Sequence, residues 1–268
     1  MPPEMERMAG GKGGNIFDTD QSANMYNQMI HMEMGYTLNQ INCFDTTVND
    51  TVLDVGCGPG RISVLMAQRA KSVTSLDQSG KMLAHCRRNA ETAGVKNLQT
   101  LQLDWKDAVP GNPEKHDIVI ASRSVGAQDI HKLSSFAKKY AVMIAWANAP
   151  HIPMIINDLF EGVGEPNHFP GMRINRNVGY NVAYNMVYDA GYDPNIRIVT
   201  DGFTKDYAAR EEAYEDLWKL RETAQPKPVP VFKQNVDKWL TANEQGGFTF
   251  RRETRTYVIW WEPVPAEV

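Results

Sequence analysis

Between Thr51 and Trp146 the chain alternates between short apolar runs and longer segments with helical spacing. The apolar runs are TVLDV (Thr51–Val55), SVTSLD (Ser72–Asp77), NLQTLQLD (Asn97–Asp104), HDIVIAS (His116–Ser122) and YAVMIAW (Tyr140–Trp146). Helical segments fall at about 62–70, 81–93 and 127–139. This alternation leaves little topological freedom. Parallel strands need crossover connections, the crossovers are right-handed, and their helices cover both faces of the sheet. HDIVIAS is apolar enough to be buried on both sides, as a central strand of such a sheet must be. The expectation is an α/β fold: a Rossmann-like, mostly parallel sheet with helices on both faces, a three-layer sandwich.

The flanks extend this unit. Residues 1–16 read as a flexible tail, with Gly10, Gly11, Gly13 and Gly14 close together. Residues 17–268 read as one domain, with an N-terminal helix at about 17–45 and insertions at about 148–172 and 204–247. On the first helix Met25, Met29 and Met32 share one side, which suits core packing or an adaptable lid. A helix at 173–190 carries Tyr180, Tyr184 and Tyr188 as a stripe and ends at Gly191. NIRIVTDGF (Asn195–Phe203) and TRTYVIWWEP (Thr254–Pro263) read as late strands. Between them, DYAAREEAYEDLWKLRE is an amphipathic charged helix, followed by the breaker QPKPVP. For this segment a lid over an acceptor pocket and a homodimer surface both remain open.

Charge and cysteine content exclude several classes. The formal net charge of −4 gives no broad attraction to nucleic acid or anionic membranes. No apolar run approaches the roughly 18–20 residues that span a bilayer. Cys43, Cys57 and Cys86 form no CxxC pair and no zinc spacing, so no metal is expected and a reducing compartment is. With a polar, glycine-rich start, the expected location is cytoplasmic.

The chemistry concentrates at strand ends. VGCGPG places Gly56, Gly58 and Gly60 between the first strand and a helix opening near Arg61. In α/β sheets that turn is where a nucleotide-like group approaches the main chain. The spacing is G-x-G-x-G, with Arg61 where the dinucleotide fingerprint needs glycine; taken alone, the turn leaves NAD and other nucleosides open. The second strand ends in Asp77, suited to accept from both hydroxyls of a ribose, which argues against NADP. The third ends in Asp104-Trp105, a carboxylate for an exocyclic amine beside an apolar wall. Their order matches one adenosine laid across the carboxyl edge.

Here VLDVGCGPG, SLDQSGKMLAHCRRNA, LQLDW and HDIVIASRS resemble the successive motifs of class I S-adenosylmethionine-dependent methyltransferases, from about Val52 to Trp146. The resemblance implies seven strands, the seventh antiparallel and inserted beside the fifth, with TRTYVIWWEP in that place. It implies S-adenosyl-L-methionine as cofactor. Gly56, Gly58 and Gly60, with Cys57 carried as a small filler of the same turn, would border its methionine part, and Asp54 would orient the amino group. Asp77 would bind the ribose, Gln78 and Met82 flank the adenine, Asp104 take its amine and Trp105 cover a ring edge. Ser122 and Arg123 would lie near the methyl donor, and Tyr26 would reach the cofactor carboxylate.

Methyl transfer from a sulfonium is an in-line displacement, so positioning supplies much of the acceleration. A base is needed only where the acceptor holds its proton at neutral pH. No catalytic dyad is visible. The histidines offered as bases are His31, His131, His151 and His168, and Arg123 is a further catalytic candidate. The resemblance puts acceptor recognition on Tyr26, His31, Tyr36, Arg123, Ser124, Asn148, His151, His168 and Phe169, a mixture suited to a small organic acceptor. Amino-methylating nucleic-acid enzymes of the family carry Asn/Asp-Pro-Pro-aromatic after the fourth strand. This chain has ASRSVG there, although FRRETR (Phe250–Arg255) is a small basic cluster. An RNA or protein methyltransferase and a non-catalytic cofactor binder are the alternatives; an NAD oxidoreductase is disfavoured by Arg61 and Asp104.

Overall fold

The computed structural model describes residues 18–163, 177, 179–221 and 227–264. The tail expected at 1–16 lies outside them, as do His168 and Phe169. In chain order the elements are α1 (Asp20–Ile41), β1 (Thr51–Val55), α2 (Arg61–Ala67), β2 (Ser72–Asp77), α3 (Gly80–Thr92), β3 (Leu98–Gln102), β4 (His116–Ser122), α4 (Ile130–Phe136) and β5 (Ala137–Trp146). Then come α5 (Ile152–Leu159), α6 (Tyr180–Asp189), β6 (Asn195–Tyr207), α7 (Arg210–Trp218), α8 (Pro230–Asp237), β7 (Leu240–Ala242) and β8 (Phe248–Trp261).

The sheet order is β3-β2-β1-β4-β5-β8-β6. Strands β1 to β5 pair in parallel, and β8 runs antiparallel between β5 and β6. This is the expected seven-strand frame, with TRTYVIWWEP in β8. One strand was not foreseen: β7 adds three residues to the far end of β8. The central strands alternate between two cores. Leu53, Val55, Val119 and Ala121 enter a core with α4 and α6, while Val52, Ile118 and Ile120 enter another with α2. Both faces are therefore buried, as a doubly covered parallel sheet requires.

Three local readings differ from expectation. The helix expected at 127–139 is a short turn (Val125–Gln128) followed by α4, and β5 begins at Ala137, because the backbone of Ala137 already pairs with His116. Within the region read as irregular, α5 forms with a proline in its first turn, where a missing N–H costs nothing. Of the tyrosine stripe, Tyr180 and Tyr184 pack on the core, whereas Tyr188 is 63% exposed; Ala183 and Val187 are the buried positions of α6.

The late strands are longer than the sequence suggested. Level with the end of β5, Trp146 pairs with Thr256, and Thr256 with Val199. Beyond that level Thr200–Tyr207 pairs only with Phe248–Arg255. At ~3.3 Å per residue this ribbon rises roughly 26 Å past the carboxyl edge. A separate core forms against it from Met29 and Met32 of α1, Ile155 and Leu159 of α5, Leu217 and Trp218 of α7, and Phe232 and Val236 of α8. Phe232 stacks among Phe160 and Trp218 at centroid distances of 4.8 and 4.7 Å. The described residues of 204–247 thus form a cap, joined by this apolar core to the N-terminal helix.

Candidate active site

The turn after β1 is built by close approach. Gly56, at φ 70°, donates its N–H to Leu76 O at 2.8 Å, and a Cβ there would stand 2.5 Å from Ser124 Cβ. No side chain fits between the β1 turn and the β4 turn. Gly58 differs. Its φ is 54°, yet a Cβ there meets nothing within 4 Å, so this backbone faces open space. Its N–H donates to Asp77 Oδ2 at 2.9 Å, and Ser79 N–H donates to Asp77 Oδ1 at 2.9 Å. Each carboxylate oxygen keeps further lone-pair capacity, enough to accept one hydroxyl apiece. Burial raises the pKa of Asp77 above the ordinary carboxylate value, with the Ser79 and Gly58 N–H groups pulling the other way. An adenosyl group fits this arrangement: a donor-poor, acceptor-rich strand tip beside uncovered glycine backbone.

Helix α1 crosses the carboxyl edge from the tip of β2 to β6. At its start Ser79 donates to Asp18 at 2.6 Å and Lys81 pairs with Asp20 at 3.1 Å. At its other end Asn39 donates to Thr200 O at 3.0 Å. Its 22 residues make ~33 Å of helix, longer than the roughly 24 Å across those strands. Midway, Glu33 is buried and holds two arginines: Arg61 Nε at 3.2 Å and Arg123 Nη1 at 2.9 Å. Arg61 also donates to Thr37 (3.0 Å), Gln40 (2.8 Å) and Ser122 Oγ (2.6 Å). Arg123, itself at φ 53°, donates to Asp201 on β6, which in turn accepts from Thr256 on β8. Two cations and two anions thus close a buried network between α1, the loop after β4, and β6.

Of the residues expected to act, the glycine turn, Asp77, Asp54, Ser122, Arg123 and Tyr26 come together here. Asp54 lies beneath the turn and accepts from Ser63 Oγ at 2.6 Å; burial lifts its pKa to about 6, against the pull of Ser63 and Arg61. Cys57 packs with Leu83 and Cys86. Tyr26 is half-buried, and burial, then Glu33, raises its pKa. Arg123 and Ser122 are engaged, the first with carboxylates and the second with Arg61. Met82 is buried, with its N–H capped by Ser79 at 3.2 Å, whereas Gln78 is exposed. Asp104 caps a turn, accepting from Lys106 N at 3.0 Å and pairing with its Nζ at 2.9 Å. Burial raises the Asp104 pKa, but the Lys106 contacts outweigh it and hold it below the usual range. Trp105 packs on Phe136 at 5.1 Å in the core, its Nε1 without a partner among the described residues. His31 is exposed on α1, and His131 packs against Tyr192 at 5.9 Å.

Glu33, Asp201 and Thr256 were not foreseen, and Arg61 had been read only as a departure from a fingerprint. Two signals were present. Glu33 interrupts the methionine side of α1, and an arginine at the start of a buried helix demands an anion. At the end of β5, Trp146 carries the Arg123 guanidinium 4.3 Å from its ring centroid and packs against the His151 ring at 5.7 Å. A separate open cleft of ≈ 520 Å³, lined by Trp239, Asn243, Glu244 and Arg251, lies at β7 and includes none of these residues.

The strand order, with an antiparallel strand between β5 and β6, and the glycine turn after β1 are those of the class I S-adenosylmethionine-dependent methyltransferase fold. Residues 52–146 match the methyltransferase-domain family, and the enzyme is an S-adenosylmethionine-dependent methyltransferase. An uncharacterised Haemophilus influenzae protein is 28% identical over 247 residues, 90% of this chain and 87% of that one. The ubiquinone biosynthesis O-methyltransferase of Serratia proteamaculans is 38% identical over 69 residues, 26% of this chain and 28% of that enzyme. The 23S rRNA (uracil(1939)-C(5))-methyltransferase of Vibrio vulnificus is 27% identical over 124 residues, 44% of this chain and 28% of that enzyme. This chain thus matches less than a third of the length of either named enzyme. A Bacillus halodurans crystal structure assigned as a methyltransferase shares the fold, with TM-score 0.50, 17% identity, and coverage of 85% of this chain and 98% of that one. Among the described residues no helix is long and apolar enough to cross a membrane, and no group of side chains could hold a metal ion.

Proposed function

We propose that this enzyme methylates a small organic molecule, with Asp77 gripping the cofactor ribose. The observation that carries the reading is the Asp77 carboxylate, steadied by two main-chain N–H groups beside the open backbone of Gly58. In this reading S-adenosyl-L-methionine supplies the methyl group as a sulfonium. Gly56, Gly58, Gly60 and Cys57 border its amino-acid end, and Asp54 receives its ammonium. Asp104, with Trp105 and Met82 behind it and Gln78 at the rim, forms the base-binding side. Ser122 and Arg123 hold the loop near the reacting carbon, with Arg123 positioning through Glu33 and Asp201, and Tyr26 closes the space from α1.

A small acceptor is supported by the cap. Helices α1, α5, α7 and α8 share one core above the carboxyl edge, which suits an enclosed acceptor better than a polymer. The net charge of −4 points the same way. An RNA acceptor is the second reading, favoured by the rRNA-modifying relative. Calorimetry with S-adenosylhomocysteine tests the cofactor site. Two hydrogen bonds to a charged acceptor, at about 1.5–3 kcal/mol each, make Asp77→Asn bind at least roughly 100-fold more weakly than wild type. No heat with the wild-type protein would refute the reading. Incubation with methyl-labelled donor and pooled metabolites, against total RNA, separates the acceptor classes by where label appears.

A further inference from the structure

The loop after β5 holds a buried side chain whose ring nitrogens meet no polar group of another described residue. His151 precedes α5 and is only 8% exposed, and neither Nδ1 nor Nε2 has a hydrogen-bond partner among the described residues. Buried polar side chains are rarely left so, and those that are mark a ligand or water that belongs there. The ring makes no capping hydrogen bond to α5. Its neighbour is Trp146 at the end of β5, and the same indole carries the Arg123 guanidinium, whose Nε is likewise buried without a partner among the described residues. Unpartnered polar atoms from the loops after β4 and β5 thus meet at one indole.

We propose that His151 is the base that takes the proton from a hydroxyl acceptor. The inference rests on the methyltransferase reading above and narrows its substrate class. A free amine attacks first and sheds its proton afterwards, and a thiol is already partly ionised at neutral pH. A hydroxyl holds its proton and needs a base. In the step, the hydroxyl proton passes to a ring nitrogen of His151. The O–H electron pair stays on oxygen and becomes the new O–CH3 bond, while the CH3–S pair returns to sulfur. Neutral imidazole becomes imidazolium, the sulfonium becomes a neutral thioether, and charge balances.

The surroundings keep the ring neutral before the step. Burial lowers its pKa, partly offset by its own backbone carbonyl, and no charged side chain contributes. Nearby charges are already matched: Asp158 of α5 pairs with Arg252 of β8 at 2.9 Å, and Arg123 is held by Glu33 and Asp201.

The test uses the full chain, wild type and the variants His151→Gln and His151→Ala. Each is titrated with S-adenosylhomocysteine and then incubated with 13C-methyl donor and pooled metabolites. Cofactor affinity should stay within twofold in both variants, while ether formation should fall at least 100-fold. Added imidazole should partly restore His151→Ala. The wild-type rate should rise with pH up to the imidazole pKa read from its 15N shifts, which should lie below that of free histidine, and this limb should vanish in the variants. Variants within threefold of wild type, an unchanged acid limb, a product methylated on nitrogen, sulfur or carbon, or no ether from the wild type would each overturn the proposal. Absence of cofactor binding by the wild type would instead remove the reading beneath it.

Discussion

The acid beneath the glycine turn gives a sharp test of how burial acts in this fold. Asp54 is 2% exposed, and burial raises its pKa from 3.8 to about 6. Between those two values the folded protein holds a proton that the unfolded chain releases. Stability therefore falls as pH climbs from about 4 to about 6, then levels off with Asp54 ionised in both states. At ~1.4 kcal/mol per tenfold change in acidity, the drop is roughly 3 kcal/mol. Asp54→Asn removes the titration while its amide oxygen can still accept from Ser63. The Arg61 cation loses a neighbour, which trims the gain. The variant's unfolding free energy should thus rise relative to wild type by about 2–3 kcal/mol between pH 4 and pH 8. Urea unfolding followed by tryptophan fluorescence at five pH values measures this directly. A stability difference that stays constant across the range would show that Asp54 titrates alike in both states, and the burial argument would fail.

Further outcomes follow from packing. Gly56→Ala puts a Cβ 2.5 Å from Ser124 at φ 70° and should cost about 2–4 kcal/mol, whereas Gly58→Ala, with nothing within 4 Å, should cost about 1 kcal/mol, both measured by urea unfolding. The second change should still weaken cofactor binding, because its methyl group enters the space left above the turn. Glu33→Gln leaves Arg61 and Arg123 buried with one anion fewer and should destabilise by roughly 3–5 kcal/mol. A loss under 1 kcal/mol would mean that the network is solvated rather than sealed.

Much of the edge was legible because local sequence carries it. Asp77 ends a strand, and the turn glycines need positive φ whatever surrounds them. Gln78, Met82 and Trp105 were also visible, but their local pattern could not separate a ligand wall from core, and the structure buries Met82 and Trp105 while leaving Gln78 exposed. The charged network was not legible, since its members lie as far apart as residues 33, 61, 123 and 201.

What the sequence determined alone was the doubly covered sheet and its chemical edge, since strand period, crossover handedness and glycine turns act over a few residues at a time. Only the tertiary structure decided how β6 and β8 extend past that edge, where the cap docks and which acids face which arginines. Those features depend on apolar area and charge brought together across more than a hundred residues of chain, and no local pattern encodes such a meeting.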